Sequence, residues 1–483
     1  MKLLNTVASG IGGLFRIERT FKRRVEDVFN RRRRIRIVVL GSKNSGKTVF
    51  LTAVASNLLN HRKEHFRLKG WEANFEEGML HGLDKKIPDF PYLQYREGFA
   101  KDNPEWPEKT THEMRVLRLP LAFRKEGCTQ RDLLIELLDL PGERIADLTM
   151  ANKSYREWCE WMAAKFGSPY CANASYLAYL ENAKGCTSLS DLFKVYKDYL
   201  RAEHEKYSPW VVPSIVKLTK EGKATGFLKE LDDRPLGLSQ AEQFVPVPIE
   251  WFDRANERCG WMKGFATAYD KYKEAIVDPM SDWLDEADQL VYLVDLLNIL
   301  KCGKDVYNQE QKFGGELLKP FSRHKSYGFC GAIRDYFSNI VTTRIKNAFL
   351  VVTKKDLAVS ETCENLRDLA DEFLGKEFRG IKEGLSKRNI KTCAAVDTVK
   401  SKRDESGCEK MYAKTSSEGA EVEYRQVSVP KSWPNSEDWK KAMQNGAYWF
   451  DDTYPRFDER ENSSPTQSGL DELMQALLAS EIA

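Results

Sequence analysis

The chain has 483 residues, 42% hydrophobic and 30% charged, with a formal net charge of +3; at about 150 residues per domain this predicts two to three domains, or one domain with large insertions. The composition is that of a globular protein, no apolar run reaches the roughly 18 residues of a membrane-spanning helix, and so small a net charge gives no reason to expect nucleic acid as a partner. Ten cysteines form no C-x-x-C pair and no metal-ligand spacing with the six histidines, which excludes a zinc site and predicts reduced thiols in a cytoplasmic protein.

Met1-Lys2-Leu3-Leu4 has the start of a signal peptide, but Asn5, Ser9, Gly10, Gly12 and Gly13 interrupt any apolar core, so none is expected. Residues 1–34 are basic and end in Arg31-Arg32-Arg33-Arg34, with Leu4, Val7, Ile11, Phe21 and Val25 at roughly helical spacing. The plainer reading is a helix packed on the body with a solvated charged face. The other is a basic amphipathic helix on an anionic membrane surface, which would make the protein peripheral to the inner membrane.

Ile35-Arg36-Ile37-Val38-Val39-Leu40 reads as a buried strand. Gly41-Ser42-Lys43-Asn44-Ser45-Gly46-Lys47-Thr48 follows, a full G-x-x-x-x-G-K-[ST] phosphate loop. Val49–Leu59 reads as a helix with apolar residues on nearly all faces. Loop N–H groups and the helix N-terminus would then face an anion, Lys47 would reach the β- and γ-phosphates, and the Thr48 hydroxyl would sit on Mg²⁺.

Residues 60–110 form a connection long enough to be functional or to hold structure of its own. Met114–Phe123 alternates like an edge strand, and Leu133–Leu138 follows as its hairpin partner. The second strand ends in Asp139-Leu140-Pro141-Gly142-Glu143. An acidic residue at a strand end before a glycine turn suits a Mg²⁺ partner of the phosphate loop, with Asp139 on the ion and the Gly142 N–H at the γ-phosphate.

Residues 150–287 read as almost wholly helical, an inserted domain whose aromatic residues form its core. Leu290–Asp295 resumes the sheet. Residues 305–345 read as helical with a break near Phe313-Gly314-Gly315, and Ala348–Val352 as a buried strand leading to Thr353-Lys354-Lys355-Asp356. An Asp at that strand end can accept hydrogen bonds from the N1–H and 2-amino group of guanine, a pair adenine does not offer. Lys354 would lay its stem along the base. A helix over 361–385 precedes Ile390–Val396, a short strand running into small residues; Ala395 and Val396 would let backbone N–H groups approach the base. Val422–Val429 alternates as an exposed strand, and Leu470–Leu478 forms a closing amphipathic helix.

Phosphate loop, D-x-x-G and [NT]-K-x-D, in this order, resemble the Ras-like, translation-factor-like GTPases. With Trp106-Pro107, D-L-P-G-E at 139–143, L-V-D at 293–295 and T-K-x-D at 353–356, nearly the whole chain is similar to the YcjX-like family of bacterial stress-associated P-loop proteins. The resemblance implies a GTP/GDP-binding core with an attached helical domain. Thr353 stands where the pattern has Asn. Glu143 stands where many signalling GTPases have a water-orienting Gln, and phosphate would repel its carboxylate; slow hydrolysis follows. The Thr that closes on Mg²⁺ would be Thr110 or Thr111. Asn44 is similar in position to an Asn that helps some self-assembling GTPases hold K⁺; its plainer reading is a surface loop residue.

The expected fold is α/β, a Ras-like P-loop NTPase with a mostly parallel sheet flanked by helices and an inserted all-helical domain. The expected divisions are a basic segment 1–34, a core in two parts (35–149 and 288–400), the helical insertion 150–287, a strand- and turn-rich insertion 401–465, and a C-terminal core helix 466–483. The expected activity is Mg²⁺-dependent GTP binding with slow hydrolysis, catalysed electrostatically through Lys47 and Mg²⁺. This would make a nucleotide-dependent switch with an unidentified protein partner. The alternative is a nucleotide-gated interaction or membrane-associated scaffold with negligible turnover.

Overall fold

The computed structural model describes residues 32–41, 45–60, 71–75, 87–100, 105–107, 114–125, 131–140, 150–151, 153–166, 174–207, 244–253, 258–284, 286–318, 345–381, 385–403, 409–416, 419–455 and 466–482. The basic segment before residue 32 lies outside them. β1 (Arg32–Gly41) begins inside the arginine run, earlier than its apolar stretch suggests, because Arg32, Arg33 and Arg34 already pair with the neighbouring strand. α1 (Lys47–Asn60), β2 (Trp71–Phe75), α2 (Tyr92–Ala100), β3 (Arg115–Lys125) and β4 (Arg131–Asp139) follow. Next come α3 (Tyr155–Phe166), α4 (Ala174–Gly185), α5 (Leu189–Tyr207) and α6 (Cys259–Tyr272). A π turn at Lys273–Val277 leads from α6 into α7 (Asp278–Leu284). The chain then alternates through β5 (Gln289–Val294), α8 (Leu296–Cys302), α9 (Lys304–Leu318), β6 (Asn347–Val352), α10 (Asn365–Arg379) and β7 (Ile390–Thr392). β8 (Val399–Arg403), β9 (Glu409–Ala413), β10 (Val422–Glu423), α11 (Ser436–Gln444) and α12 (Leu470–Ile482) complete it.

The central sheet has the order β2-β3-β4-β1-β5-β6-β7. β4, β1, β5, β6 and β7 are mutually parallel, while β3 and β2 run antiparallel on one side. Parallel strands covered on both faces read as continuous apolar runs, as Ile35–Leu40, Leu290–Val294 and Ala348–Val352 do. Alternation sends Val38 and Leu40 into a core with α7–α10, and Ile37 and Val39 into one with α1, α2 and α12. This mostly parallel, helix-flanked sheet is compatible with a P-loop NTPase.

Three expectations change. β3 is not the edge strand, because β2 pairs along it; the edge lies in the 60–110 connection, in a stretch of five residues too short to announce itself. The Gly314-Gly315 pair does not break α9. A Cβ on Gly314 would stand 2.7 Å from Leu374 Cδ1 and 2.8 Å from Tyr292 Oη, so the glycine lets α9 press on β5 and α10. Residues 422–429 are not an exposed strand: only Val422–Glu423 pair with β9, while Tyr424, Val427 and Val429 are buried against the sheet's helices.

A third cluster of buried side chains is drawn wholly from residues 150–277, among them Trp158, Tyr176, Tyr179, Tyr196 and Tyr269. Its tyrosine hydroxyls hold the extended stretch beside it: Tyr155 donates to the Val245 carbonyl at 2.6 Å and Tyr179 to that of Pro246.

Midway along β1, apolar packing gives way to buried charge. Arg36 Nε meets Glu136 Oε2 at 2.6 Å, Arg118 Nε meets Glu136 Oε1 at 3.2 Å, and Arg118 Nη1 reaches Asp89 at 2.6 Å. Arg36 also pairs with Glu286 and lies 5.4 Å from the Trp283 ring, which ties α7 to β1. Burial opposes ionisation of Glu136, yet Arg36, Arg34 and Arg118 outweigh it and hold its carboxyl below the usual value. Glu136→Gln leaves two buried guanidinium groups sharing no anion and should cost about 3 kcal/mol in urea unfolding at neutral pH. Because the folded value is depressed, this contribution is present above the unfolded carboxyl value and is lost as pH falls through the folded one. The gap between wild type and variant should therefore narrow toward acid; a pH-independent gap would overturn this account.

Candidate functional site

Parallel strands carry the loops at their carboxyl ends to one edge of the sheet. β1 ends at Gly41, β4 at Asp139, β5 before Asp295 and β6 before Thr353. A Cβ on Gly41 would fall 2.6 Å from the Leu293 carbonyl, so only glycine lets the loop leave β1 this close to β5. Gly46 has φ +86°, a left-handed turn that delivers the chain into α1. The first helical bond runs from Phe50 N–H to the Gly46 carbonyl at 2.8 Å, and the N–H groups before it face out of the helix N-terminus, where an anion is favoured.

Lys47 donates to the Gly41 carbonyl at 3.0 Å. Burial lowers its ammonium from the ordinary value, opposed first by Asp139 and then by Glu310 on α9. Asp139 is completely buried at the end of β4. Thr48 is the second residue of α1, with its carbonyl accepting from Thr52 Oγ1 at 2.8 Å. Ser45 is buried, and its Oγ has no hydrogen-bond partner among the described residues. A hydroxyl, a buried carboxylate and a lysine beside a helix N-terminus are a donor set that fits a polyphosphate with a hard divalent cation.

The other half of the edge is built on β6. Lys354 is the one non-glycine residue at positive φ among those described, at +60°. Its ammonium meets Asp295 Oδ2 at 2.6 Å, and Asp295, with smaller help from Asp452 and Asp356, raises its pKa. Asp295 also caps α8 by accepting from Asn298 N–H at 2.9 Å. Asp356 Oδ2 accepts from both the backbone N–H and the hydroxyl of Thr398, each at 2.7 Å. Burial raises the Asp356 carboxyl above its usual value, and the two Thr398 bonds, the larger of the opposing influences, keep that rise in check. Gln426 Nε2 donates to the Asp356 carbonyl at 2.7 Å.

Thr353 is buried and donates its hydroxyl to the Val294 carbonyl at 3.3 Å, so it ties β6 to β5. Ala395 and Val396 are buried between Ala394 and Asp397, whose N–H groups are taken by Ser468 and Thr466. Ser42, Lys43, Asn44, Thr110, Thr111, Gly142 and Glu143 lie outside the described residues. Sequence reasoning missed Asp295 and Thr398. Asp295 closes the L-V-D stretch at a strand end, a readable signal; Thr398 lies in no motif.

A family model described as "YcjX-like family, DUF463" matches residues 35–482. The chain is 27% identical over 440 residues to "Ras-like GTPase YcjX" of Escherichia coli K12, covering 85% of this chain and 88% of that one. It is 28% identical over 196 residues to "Ras-like GTPase YcjX" of Shewanella oneidensis, covering 36% of this chain and 40% of the relative. Among the described residues no helix is long and apolar enough to cross a membrane.

Asp295 serves two partners, and two substitutions separate them. Asp295→Asn keeps a good cap but removes the charge facing the half-exposed Lys354, so its cost in chemical denaturation should stay under about 1 kcal/mol. Asp295→Ala also loses the cap and should cost about 1 kcal/mol more. Equal losses would mean that the cap contributes nothing.

Proposed function

The chain belongs to the YcjX-like family, and from that premise we propose that it is a guanine-nucleotide-binding P-loop protein that hydrolyses GTP slowly to GDP with Mg²⁺. One observation carries the reading: Lys47 with Asp139, and Lys354 with Asp356, stand on the same strand-end edge, a phosphate-binding half and a base-binding half. The helix N-terminus and the loop N–H groups would hold the phosphates, and Thr48 and Asp139 would hold Mg²⁺. Mg²⁺ would supply neutralisation of phosphate charge. Lys47 would exchange the Gly41 carbonyl for a phosphate oxygen, where its positive charge opposes the negative charge that builds up during phosphoryl transfer. Asp356 would accept from the N1–H and 2-amino group of guanine, and the Lys354 stem would flank the base.

The helices between β4 and β5 are read as an inserted domain, supported by a core drawn wholly from residues 150–277. That core contains none of the residues assigned above to phosphate, Mg²⁺ or base. It therefore favours a second reading, in which the nucleotide state gates an interaction and turnover is negligible. Phosphate release from GTP by the protein alone separates the two.

Displacement of fluorescent GDP by GTP, GDP, ATP and xanthosine diphosphate tests the base assignment. GTP and GDP should displace it, and ATP should fail at comparable concentrations. Asp356→Asn should turn the preference toward xanthosine diphosphate, because the amide can donate to the C2 carbonyl of xanthine. Lys47→Ala should weaken all nucleotides. Equal competition by ATP, or an unchanged preference in Asp356→Asn, would leave only a general phosphate loop.

A further inference from the structure

Asp356 is held from one side by a chain of hydrogen bonds that ends far away in sequence. Its Oδ2 takes the N–H and the hydroxyl of Thr398, both at 2.7 Å. That hydroxyl in turn accepts from Thr453 Oγ1 at 2.8 Å. The Thr453 carbonyl accepts the Trp106 indole N–H at 2.7 Å. Thr398 and Thr453 are 5% and 8% exposed, so both hydroxyls depend on these partners. Each hydroxyl donates toward the carboxylate, a direction in which neighbouring bonds polarise one another.

The two ends of the chain are built as rigidly as its middle. Trp106 packs edge-on against Phe99 of α2 with ring centres 5.8 Å apart, and the Glu105 N–H bonds to the Gly98 carbonyl at 2.9 Å. The stretch carrying Thr453 is fixed on both sides. Lys301 Nζ donates to the Phe450 carbonyl at 2.7 Å, Tyr424 Oη to that of Asp451 at 3.0 Å, and the Tyr454 N–H to that of Lys414 at 3.0 Å. This stretch is therefore a strap between α2 and the end of β6. Its bonds support Thr398, whose two bonds to Oδ2 set the plane of the Asp356 carboxylate and leave an in-plane edge of it for the base.

We propose that Trp106, Thr453 and Thr398 are positioning residues for base selectivity, a relay that orients the Asp356 carboxylate toward the N1–H and 2-amino edge of guanine. The proposal rests on the guanine-reading role given to Asp356. None of the three need touch the nucleotide. They act by restricting rotation of one carboxylate, and selectivity follows because a misaligned carboxylate still accepts one bond but not the coplanar pair.

The measurement is the ratio of inosine diphosphate to guanosine diphosphate dissociation constants, since inosine lacks the 2-amino group. Thr398→Val keeps shape and backbone N–H but loses the hydroxyl, and it should lower the ratio about tenfold, the scale of one hydrogen bond to a charged group. Thr453→Val and Trp106→Phe act one and two steps away and should lower it about threefold each. Thr398→Ser restores the hydroxyl and should restore the ratio. Asp356→Asn is the control. If it leaves the ratio unchanged, the guanine-reading assignment itself fails. If it shifts the ratio while the folded Val and Phe variants keep the wild-type value, the assignment stands and the relay is overturned. Thermal unfolding identifies any variant that has lost its fold, and Trp106→Phe, which retains the ring packing, then decides the matter.

Discussion

The pairing of Arg36 with Glu136 fixes β1 against β4, and the site depends on that register. The two residues are direct partners across parallel strands, and three residues further on Val39 faces Asp139 in the same ladder. Side chains alternate along a strand, so a slip by one residue would turn Asp139 away from the face that carries α1 and Lys47. Apolar residues on both faces resist such a slip only weakly, because leucine and valine tolerate exchange of neighbours. A buried carboxylate between two guanidinium groups does not, since a shift leaves like charges adjacent in a low dielectric. The charge cluster sits midway along β1 and three residues before Asp139 on β4, so electrostatics within the strands hold the chemistry at their carboxyl ends in place.

The stretch between β4 and β5 and the stretch after β8 have different consequences. Residues between β4 and β5 bury their aromatics among themselves and join the sheet through α7, whose Trp283 and the neighbouring Glu286 engage Arg36. Residues after β8 bear directly on the end of β6. Gln426 supports the Asp356 backbone, Val427 exchanges bonds with Leu357 and Val359, and Thr453 supports Thr398. A strap that looks peripheral in sequence thus forms one wall of the edge where Lys354 and Asp356 stand.

How much of this was legible follows from how local each determinant is. The placing of Lys47, Asp139 and the Lys354–Asp356 turn beside the ends of buried strands was readable, because these residue types stand at fixed short spacing from apolar runs. The mostly parallel character of the sheet was readable from runs such as Ala348–Val352, but the order of its strands was not. β2 was not either, because the alternation of Trp71-Glu72-Ala73-Asn74-Phe75 spans only five residues within a long polar connection. The Gly314-Gly315 pair was misread as a break because helix propensity counts against glycine, whereas here contact with Tyr292 and Leu374 outweighs propensity. Val422–Val429 alternates as a strand does, yet alternation records only that every second residue is buried, and a loop clamped on a core gives the same pattern. Thr398, Thr453 and Trp106 are joined only through the fold, and nothing in their local sequence links them.

The charges on the strand-end edge constrain what it can hold. Lys47 feels Asp139 and Glu310; Lys354 feels Asp295, Asp452 and Asp356. A polyphosphate entering beside Lys47 would meet the buried Asp139 carboxylate as well as the roughly half unit of positive charge at the N-terminus of α1. A divalent cation on Asp139 and Thr48 would reverse the sign locally, turn a repelling carboxylate into a ligand, and release Lys47 for the phosphates. Nucleotide and cation would then bind as one unit, with neither favoured alone. On the proposed guanine assignment the base end would need no such help, because a neutral base edge would offer donors to a carboxylate whose Oδ2 is held by Thr398.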